Sequence, residues 1–223
     1  MTSQPTPPAP MPPAAPALPY AIRLSVDRQD GSRDRVTVFF RILYVIPIAI
    51  VLAAISGSSW FSDSSDQWSI VLGGGTGVLF LAPLLLIVFR QKYPRWWFDF
   101  SVQLMRFEAR VWVYLLLLRD EYPSTDEEQS VHLDADYPDV QRDLDRWAPL
   151  YKWLLAFPHY VVLVFLVLGL IILTIVGWFA ILFTGKHPRG IYDYTVGVMR
   201  WVYRVAAYAF LLNTDKYPPF EMA

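Results

Sequence analysis

The chain has 223 residues, of which 55% are hydrophobic and 17% are charged, and its formal net charge at pH 7 is -1. Soluble domains carry about 45–50% apolar and about 25% charged residues, so this composition favours an integral membrane protein. A net charge so close to zero provides no general attraction to nucleic acid. The absence of cysteine excludes thiolate catalysis, disulfides and cysteine-ligated metals.

Residues 1–19 hold most of the proline excess of the chain. Because proline lacks an amide donor and fixes φ, we expect a disordered or polyproline-II-like tail, which serves either as a flexible segment or as a proline-rich ligand for a partner. The basic and apolar regions of a secretory signal do not precede Arg23, so we expect no signal peptide.

Three apolar runs follow, at residues 42–56, 69–89 and 154–183. No Lys or Arg lies between Arg41 and Arg90, or between Lys152 and Lys186. Because cytoplasmic flanks carry the basic excess, the first two runs predict a membrane hairpin with cytoplasmic ends. The third run predicts a second hairpin that turns near Gly169. A single long span is the alternative and would place Lys186 outside.

A long stretch of sequence occurs twice. KYPRWWFDFSVQLMRFEAR runs from Lys92 to Arg110, and KHPRGIYDYTVGVMRWVYR runs from Lys186 to Arg204. Upstream, Phe40-Arg41 matches Tyr151-Lys152, and downstream the copies end in LLRDEYP and LLNTDKYP. Self-similarity of this length indicates an internal duplication. We therefore predict a tail at 1–19 and two membrane repeats, at 20–123 and 124–223.

Each predicted repeat opens with a short alternating strand, at residues 22–26 and 131–135. An isolated strand is unstable in water, so we expect the two strands to pair, with each other or with the Tyr-Pro tails, on the cytoplasmic side. Each repeat closes with a helix, at about 96–118 and 190–212. A polar stripe recurs along both helices, opposite an aromatic and aliphatic face.

The stripes contain Arg106 and Arg110 in the first helix and Arg200 and Arg204 in the second. Helices this charged are poorly suited to cross lipid, so we predict two amphipathic helices that lie in the membrane interface. The four arginines are then candidates for contact with anionic lipid or with a partner. A solvated stripe and ion pairing within the protein are the alternatives.

These patterns predict an all-α integral membrane protein with an internal duplication. Its parts are two membrane hairpins, two interfacial amphipathic helices and short cytoplasmic β-strands. The distribution of basic residues further predicts a multi-pass topology with both termini cytoplasmic.

The duplicated stretch, together with KWLLAFPHY at 152–160 and DKYPPFEM at 215–222, resembles a bacterial membrane family known only as domain of unknown function 4389. The likeness extends from about Ala21 to Met222 and is closer in the second repeat. It implies a tandem repeat in the bacterial cytoplasmic (inner) membrane. It implies no activity, cofactor or catalytic residue.

Motifs for catalysis, phosphate binding and metal binding are absent from the sequence. His132, His159 and His187 lack metal-ligand spacing, and GGGTG at 73–77 lies in an apolar run without a following lysine. We therefore expect a non-enzymatic protein without cofactor or metal, either an accessory subunit of a larger membrane complex or a membrane-organising protein. Its expected partners are membrane lipids and such a complex, and not nucleic acid. The alternative is a lipid- or small-solute-handling protein with a site at the repeat interface.

Overall fold

The computed structural model describes residues 20–222, apart from 30, 57–74 and 126, and is mostly helical with one two-stranded sheet. The predicted tail at 1–19 and the tip of the first predicted hairpin lie outside the described residues. In chain order the elements are β1 (Ile22–Val26), α1 (Arg35–Phe39), α2 (Arg41–Ser56), α3 (Gly75–Arg90), α4 (Arg95–Leu115), β2 (Val131–Ala135), α5 (Val140–Asp143), α6 (Ala148–Leu155), α7 (Phe157–Thr184) and α8 (Arg189–Ala206), followed by a π-helical turn (Ala207–Leu211).

The two strands pair with each other, as predicted, in an antiparallel register that places Leu24 opposite Leu133. Alternation explains the pairing, because Ile22 and Leu24 of β1 are buried on the same face as Val131 and Leu133 of β2. The intervening residues point to the opposite, more exposed face. Backbone hydrogen bonds from Asp27 to Ser130 and from Asp136 to Ala21 continue the ladder beyond both strand ends.

The helices on the buried face of the sheet are exchanged between the two halves of the chain. The first-half helix α4 packs on β2 of the second half, whereas α8 packs on β1. The main core lies between the sheet and these two helices, and its fully buried side chains include Val113, Leu133 and Val198. Neither half therefore encloses this core alone.

Helices α4 and α8 begin one residue before the predicted positions, each directly after a proline, Pro94 or Pro188. A leucine in the left-handed conformation follows each helical segment: Leu117, with φ 64°, lies shortly after α4, and Leu212, with φ 59°, lies directly after the π turn. A π-helical turn holds one more residue per turn than an α-helix. The second repeated stretch is one residue longer at its end, since LLNTDKYP replaces LLRDEYP. The π turn after α8 accommodates that extra residue.

Residues 157–184 form one continuous helix, α7, and the predicted hairpin turning near Gly169 is wrong. The run contains long aliphatic side chains without a strong breaker, and Gly169 lies in mid-helix. Pro158 occupies the first turn, where its missing amide donor is not needed. Gly185 ends the helix in the left-handed conformation with φ 71°. At about 1.5 Å per residue, α7 is long enough, and it is apolar enough, to cross a membrane.

The other two apolar helices, α2 and α3, each contain 16 residues and are shorter than the span of a typical bilayer core. Pro47 and Pro83 lie inside them. Helix α2 packs against α4, and α3 packs against α6 and the π turn. Both therefore pack mainly against other helices and the π turn.

Candidate functional site

Two of the predicted site arginines, Arg106 and Arg200, bind the outer edges of the sheet. The Nε of Arg106 donates to the Leu133 carbonyl oxygen at 2.6 Å, and the Nε of Arg200 donates to the Leu24 carbonyl oxygen at 3.0 Å. In an antiparallel ladder the paired and outward-pointing backbone groups alternate. Because Asp27 pairs with Ser130, the carbonyls of Leu24 and Leu133 point away from the neighbouring strand. The arginines therefore satisfy edge groups that the sheet leaves open.

The other two predicted arginines bind chain segments beyond their own helices. The Nη1 of Arg110 donates to the Ser124 carbonyl at 2.7 Å, and the Nη1 of Arg204 donates to the Glu221 carbonyl at 3.2 Å. Arg204 is buried and lies 3.7 Å from the Glu221 carboxylate. All four arginines thus have partners within the protein. Their contact with anionic lipid or with a partner protein stays a prediction.

A buried ion pair joins the start of α2 to the chain that follows α4. The side chain of Arg41 is only 2% exposed and forms a charge-assisted hydrogen bond to Asp120. It also donates to the carbonyls of Tyr114 at 2.9 Å and Arg119 at 3.0 Å. Its guanidinium lies 4.4 Å from the centre of the Tyr114 ring. A cation here complements the negative end of the α4 dipole and the carbonyls that the helix leaves unpaired.

A matching ion pair joins α6, at the start of the third apolar run, to the chain that follows α8 and the π turn. Lys152 is 1% exposed, and its Nζ lies 2.5 Å from Asp215 and 2.8 Å from the Thr214 carbonyl oxygen. The ammonium lies 5.4 Å from the centre of the Tyr208 ring. Burial lowers the pKa of Lys152, and the bond to Asp215 opposes that shift.

The sequence reasoning missed Arg41 and Lys152 as site residues, because both were assigned to the exposed basic flanks of the apolar runs. The sequence nevertheless contains a pattern from which the two ion pairs could have been predicted. A cation precedes the first and the third apolar run, at Arg41 and Lys152, and an aspartate lies two residues before the Tyr-Pro pair that ends each repeated stretch, at Asp120 and Asp215. The recurrence of both opposite charges at matching positions of two similar stretches predicts that they meet.

The first ion-pair cluster carries an additional buried cation, Arg33. Its Nη2 donates to the Leu118 carbonyl at 2.5 Å, and its Nη1 lies 3.6 Å from the carboxylate of Asp120, which it shares with Arg41. Burial lowers the pKa of Arg33, the Asp120 carboxylate opposes that shift, and the nearby Arg41 and Arg119 add to it. The cluster closes the C-terminal end of α4.

The C-terminal segment is anchored on an aromatic cluster around His159. This side chain is fully buried. Its Nδ1 accepts a hydrogen bond of 3.0 Å from the Trp201 indole, and the Phe220 ring stacks on the imidazole with centroids 4.0 Å apart. These contacts hold the tail against α7 and α8.

An open groove of about 690 Å³ lies between residues 91–94 of the first half and residues 137–141 of the second. Lys92 and Asp139 are the charged residues in its lining. Within the described part of the chain, no three His, Asp or Glu side chains lie close enough together to hold a metal ion. The groove offers opposite charges to a small polar or zwitterionic group.

The comparisons with known proteins match only the C-terminal third of the chain. Residues 146–221 match the model of a family described as a domain of unknown function (DUF4389). No curated protein and no solved structure matches the chain. The matched segment contains Lys152, Asp215, Arg200 and Arg204, which are the second ion pair and half of the predicted arginines, and the description of the family assigns no activity.

Proposed function

We propose that this chain is a non-enzymatic membrane protein that acts as an accessory subunit of a larger membrane complex or as a membrane-organising protein. One observation supports the proposal: large apolar side chains are exposed to the surroundings, whereas charged side chains are buried. Large apolar residues are exposed along the apolar helices, for example Ile42 of α2 at 73% and Phe165 of α7 at 69%, whereas Arg41 and Lys152 are buried. Exposed apolar surfaces of this extent mark contact with lipid or with another protein.

We further propose that the two halves arose by internal duplication. Support comes from contacts that match at equivalent positions. Arg41 and Lys152 each bind an aspartate and a neighbouring carbonyl, and Arg106 and Arg200 each bind the central leucine carbonyl of a strand. A pair of duplicated halves that exchange helices is expected to behave as one folding unit.

For topology we propose a bacterial cytoplasmic membrane location, with α2 and α3 as a membrane hairpin and both termini cytoplasmic. The support is the basic residues Arg35 and Arg90 at its ends, both exposed, and the absence of Lys and Arg between Arg41 and Arg90. The cysteine-free chain allows a direct test. A cysteine at position 64 is expected to react with an impermeant thiol reagent from outside intact cells, whereas a cysteine replacing Ser124 is not. Labelling at position 124 from outside contradicts the topology.

The subunit role is tested by purification at native expression in a mild detergent. We expect a defined set of membrane proteins to accompany the chain in amounts comparable to its own. Recovery of the chain as a lone monomer contradicts the subunit version and leaves the membrane-organising version.

The alternative function, lipid or small-solute handling at the repeat interface, is favoured by the groove between the two halves. A lipid that binds there with its headgroup between Lys92 and Asp139 is expected to remain bound after gentle extraction and to be seen by native mass spectrometry. Replacing Gln141 with Trp should reduce that retention, whereas Gln103→Trp, on an exposed face of α4, should not. Equal retention in both variants argues against the groove.

A further inference from the structure

Helices α7 and α8 lie side by side and antiparallel over most of their lengths. Near one end, a Cβ on Gly177 would lie 3.5 Å from the His187 ring and 3.8 Å from Ile191. In the middle, the Tyr194 hydroxyl donates to the Leu166 carbonyl at 2.9 Å. At the other end, Trp201 binds His159 and packs beside Leu163. The contacts therefore pair the centre of α7 with the part of α8 around residues 191–194.

The sheet lies along the opposite side of α8, at the same level. The Tyr192 hydroxyl donates to the Val26 carbonyl at 2.8 Å, and Arg200 reaches Leu24 in the same strand. The outer face of the sheet is polar and open to its surroundings, with Asp134 and Asp136 exposed. Asp193, beside the centre of α7, is also exposed. Charged groups therefore lie beside the middle of α7 as well as near its ends.

This arrangement bears on how α7 meets a bilayer. A helix that crosses the bilayer places its centre at the midplane, and α8 and β1 run along α7 and would be carried there with it. Asp193 and the polar face of the sheet would then lie in the hydrocarbon region, where exposed charges are strongly disfavoured. A two-stranded sheet with open edges is also excluded from that region unless protein covers it. The order of the layers is sheet, α8, α7, so the sheet and α7 lie on opposite sides of α8.

We infer that α7 lies along the membrane surface, embedded in the acyl chains of one leaflet, with both of its ends on the same side of the membrane. The inference rests on the proposed function as a membrane protein and specifies how the chain meets lipid. The apolar helix α7 faces the acyl chains, and the sheet faces water. Exposed basic residues near the two ends of α7, Arg146 at one and Lys186 and Arg189 at the other, complement anionic headgroups.

A helix embedded along the membrane surface lies at the same bilayer depth along its whole length. A spanning helix is deepest at its centre and shallow at both ends. Val161, Ile172 and Phe183 are exposed and separated by 11 residues, which is close to three helical turns, so they share one face of α7. Spin labels on cysteines at these positions, in the protein reconstituted into vesicles of phosphatidylcholine and phosphatidylglycerol, report their depth by collision with oxygen and with a water-soluble nickel chelate. We expect the three positions to have the same depth. A maximum at Ile172, with both other positions shallow, overturns the inference.

The second measurement uses the chain segments on either side of α7. Gln141 is exposed before the helix, and Gly190 is exposed after it, with open space where a side chain would stand. Single cysteines at both positions should react with an impermeant reagent from the same face, in inside-out membrane vesicles but not in intact cells. Reaction from opposite faces shows that α7 crosses the membrane and overturns the inference while the membrane function stands. Release of the unmodified chain from membranes by alkaline carbonate overturns both.

Discussion

The Nε of Arg200 donates a hydrogen bond to the carbonyl oxygen of Leu24, 3.0 Å away and 176 residues earlier in the chain. The equivalent contact, from Arg106 to Leu133, spans 27 residues. A two-stranded sheet has no inner strand, so each strand presents an open edge on which other chains pair. At each edge of this sheet, an arginine donates a hydrogen bond to the carbonyl group of the central residue of the strand.

Replacing Arg106 or Arg200 with Gln is expected to destabilise the protein, because an outward-pointing strand carbonyl loses a charged donor. Hydrogen bonds to charged groups contribute about 1.5–3 kcal/mol. Thermal unfolding in detergent micelles measures the change. The matched control is Arg142→Gln, whose side chain is 85% exposed and should change stability by less than about 0.5 kcal/mol. Equal effects at Arg142 and Arg200 contradict the edge-binding role.

The predicted lipid contact of the same arginines requires a separate measurement. When Arg106, Arg110, Arg200 and Arg204 are all replaced with Gln, a lipid role predicts that anionic lipid is lost from the purified protein while the apolar helices stay inserted. Lipid content is measured by mass spectrometry of the extracted protein. Unchanged lipid retention together with reduced stability assigns the four arginines to contacts within the chain.

Replacing Lys152 with Met is expected to cost about 3–5 kcal/mol of stability, because it leaves Asp215 and the Thr214 carbonyl without their buried cation. Arg41→Met should have a comparable effect through Asp120. Arg41→Lys should be milder, since Lys152 makes the matching contacts with an ammonium. Chemical denaturation in micelles gives the values, and a lysine variant as unstable as the methionine variant contradicts the equivalence of the two sites.

Glu108 is expected to make stability depend on pH. Burial raises the pKa of Glu108 above its ordinary value of 4.5, and the hydrogen bond from Trp112 opposes the shift. A raised pKa means that the folded state binds the proton more tightly. Its contribution is therefore full below pH 4.5 and is lost as pH rises through the folded-state pKa.

The test compares Glu108→Gln with the unmodified protein across that pH range. Because glutamine does not ionise, the stability of the variant relative to the unmodified protein should increase as pH rises. Glu128→Gln, at an exposed position, serves as the control and should follow the unmodified protein. A constant difference between the Glu108 variant and the unmodified protein contradicts the assignment.

Gly197 is expected to position the C-terminal segment. A Cβ at this position would lie 2.9 Å from the Cβ of Met222 and 3.0 Å from its carbonyl oxygen, so Gly197→Ala must displace the tail from α8. Faster removal of the last residues by carboxypeptidase is the expected result. Gly190→Ala, which adds a Cβ in open space on the same helix, should leave digestion unchanged and stabilise the helix by about 0.5–1 kcal/mol. Equal digestion of both variants contradicts the role of Gly197.

Local patterns predicted the strands and helix starts well. Alternation predicted β1 and β2 with their observed bounds, and the Pro-Arg pairs predicted the starts of α4 and α8 to within one residue. These features depend on nearest neighbours in sequence: side-chain alternation in a strand, and proline at the entry to a helix.

The long-range features were not predictable in the same way. The hairpin near Gly169 was inferred from basic flanks, yet Lys152 is buried and marks no exposed flank. A glycine in a run of good helix formers is also a weak breaker. The exchange of helices between halves leaves no local trace, because α4 would bury the same face against either strand. For the four arginines, periodicity predicted a shared face but not what that face contacts.

The exchange of helices has a consequence for the order of synthesis. The ribosome makes β1 first, whereas its edge partner Arg200 follows 176 residues later, which at about 5–20 residues per second is a delay of roughly 10–35 s. During that time α2, α3 and α7 leave the ribosome before the strand is fully enclosed. Strand β2 is made before α7 and α8, so β1 can pair with it before Arg200 has been made. The outer edge of β1 is therefore the part of the sheet that acquires its partner last, when Arg200 leaves the ribosome.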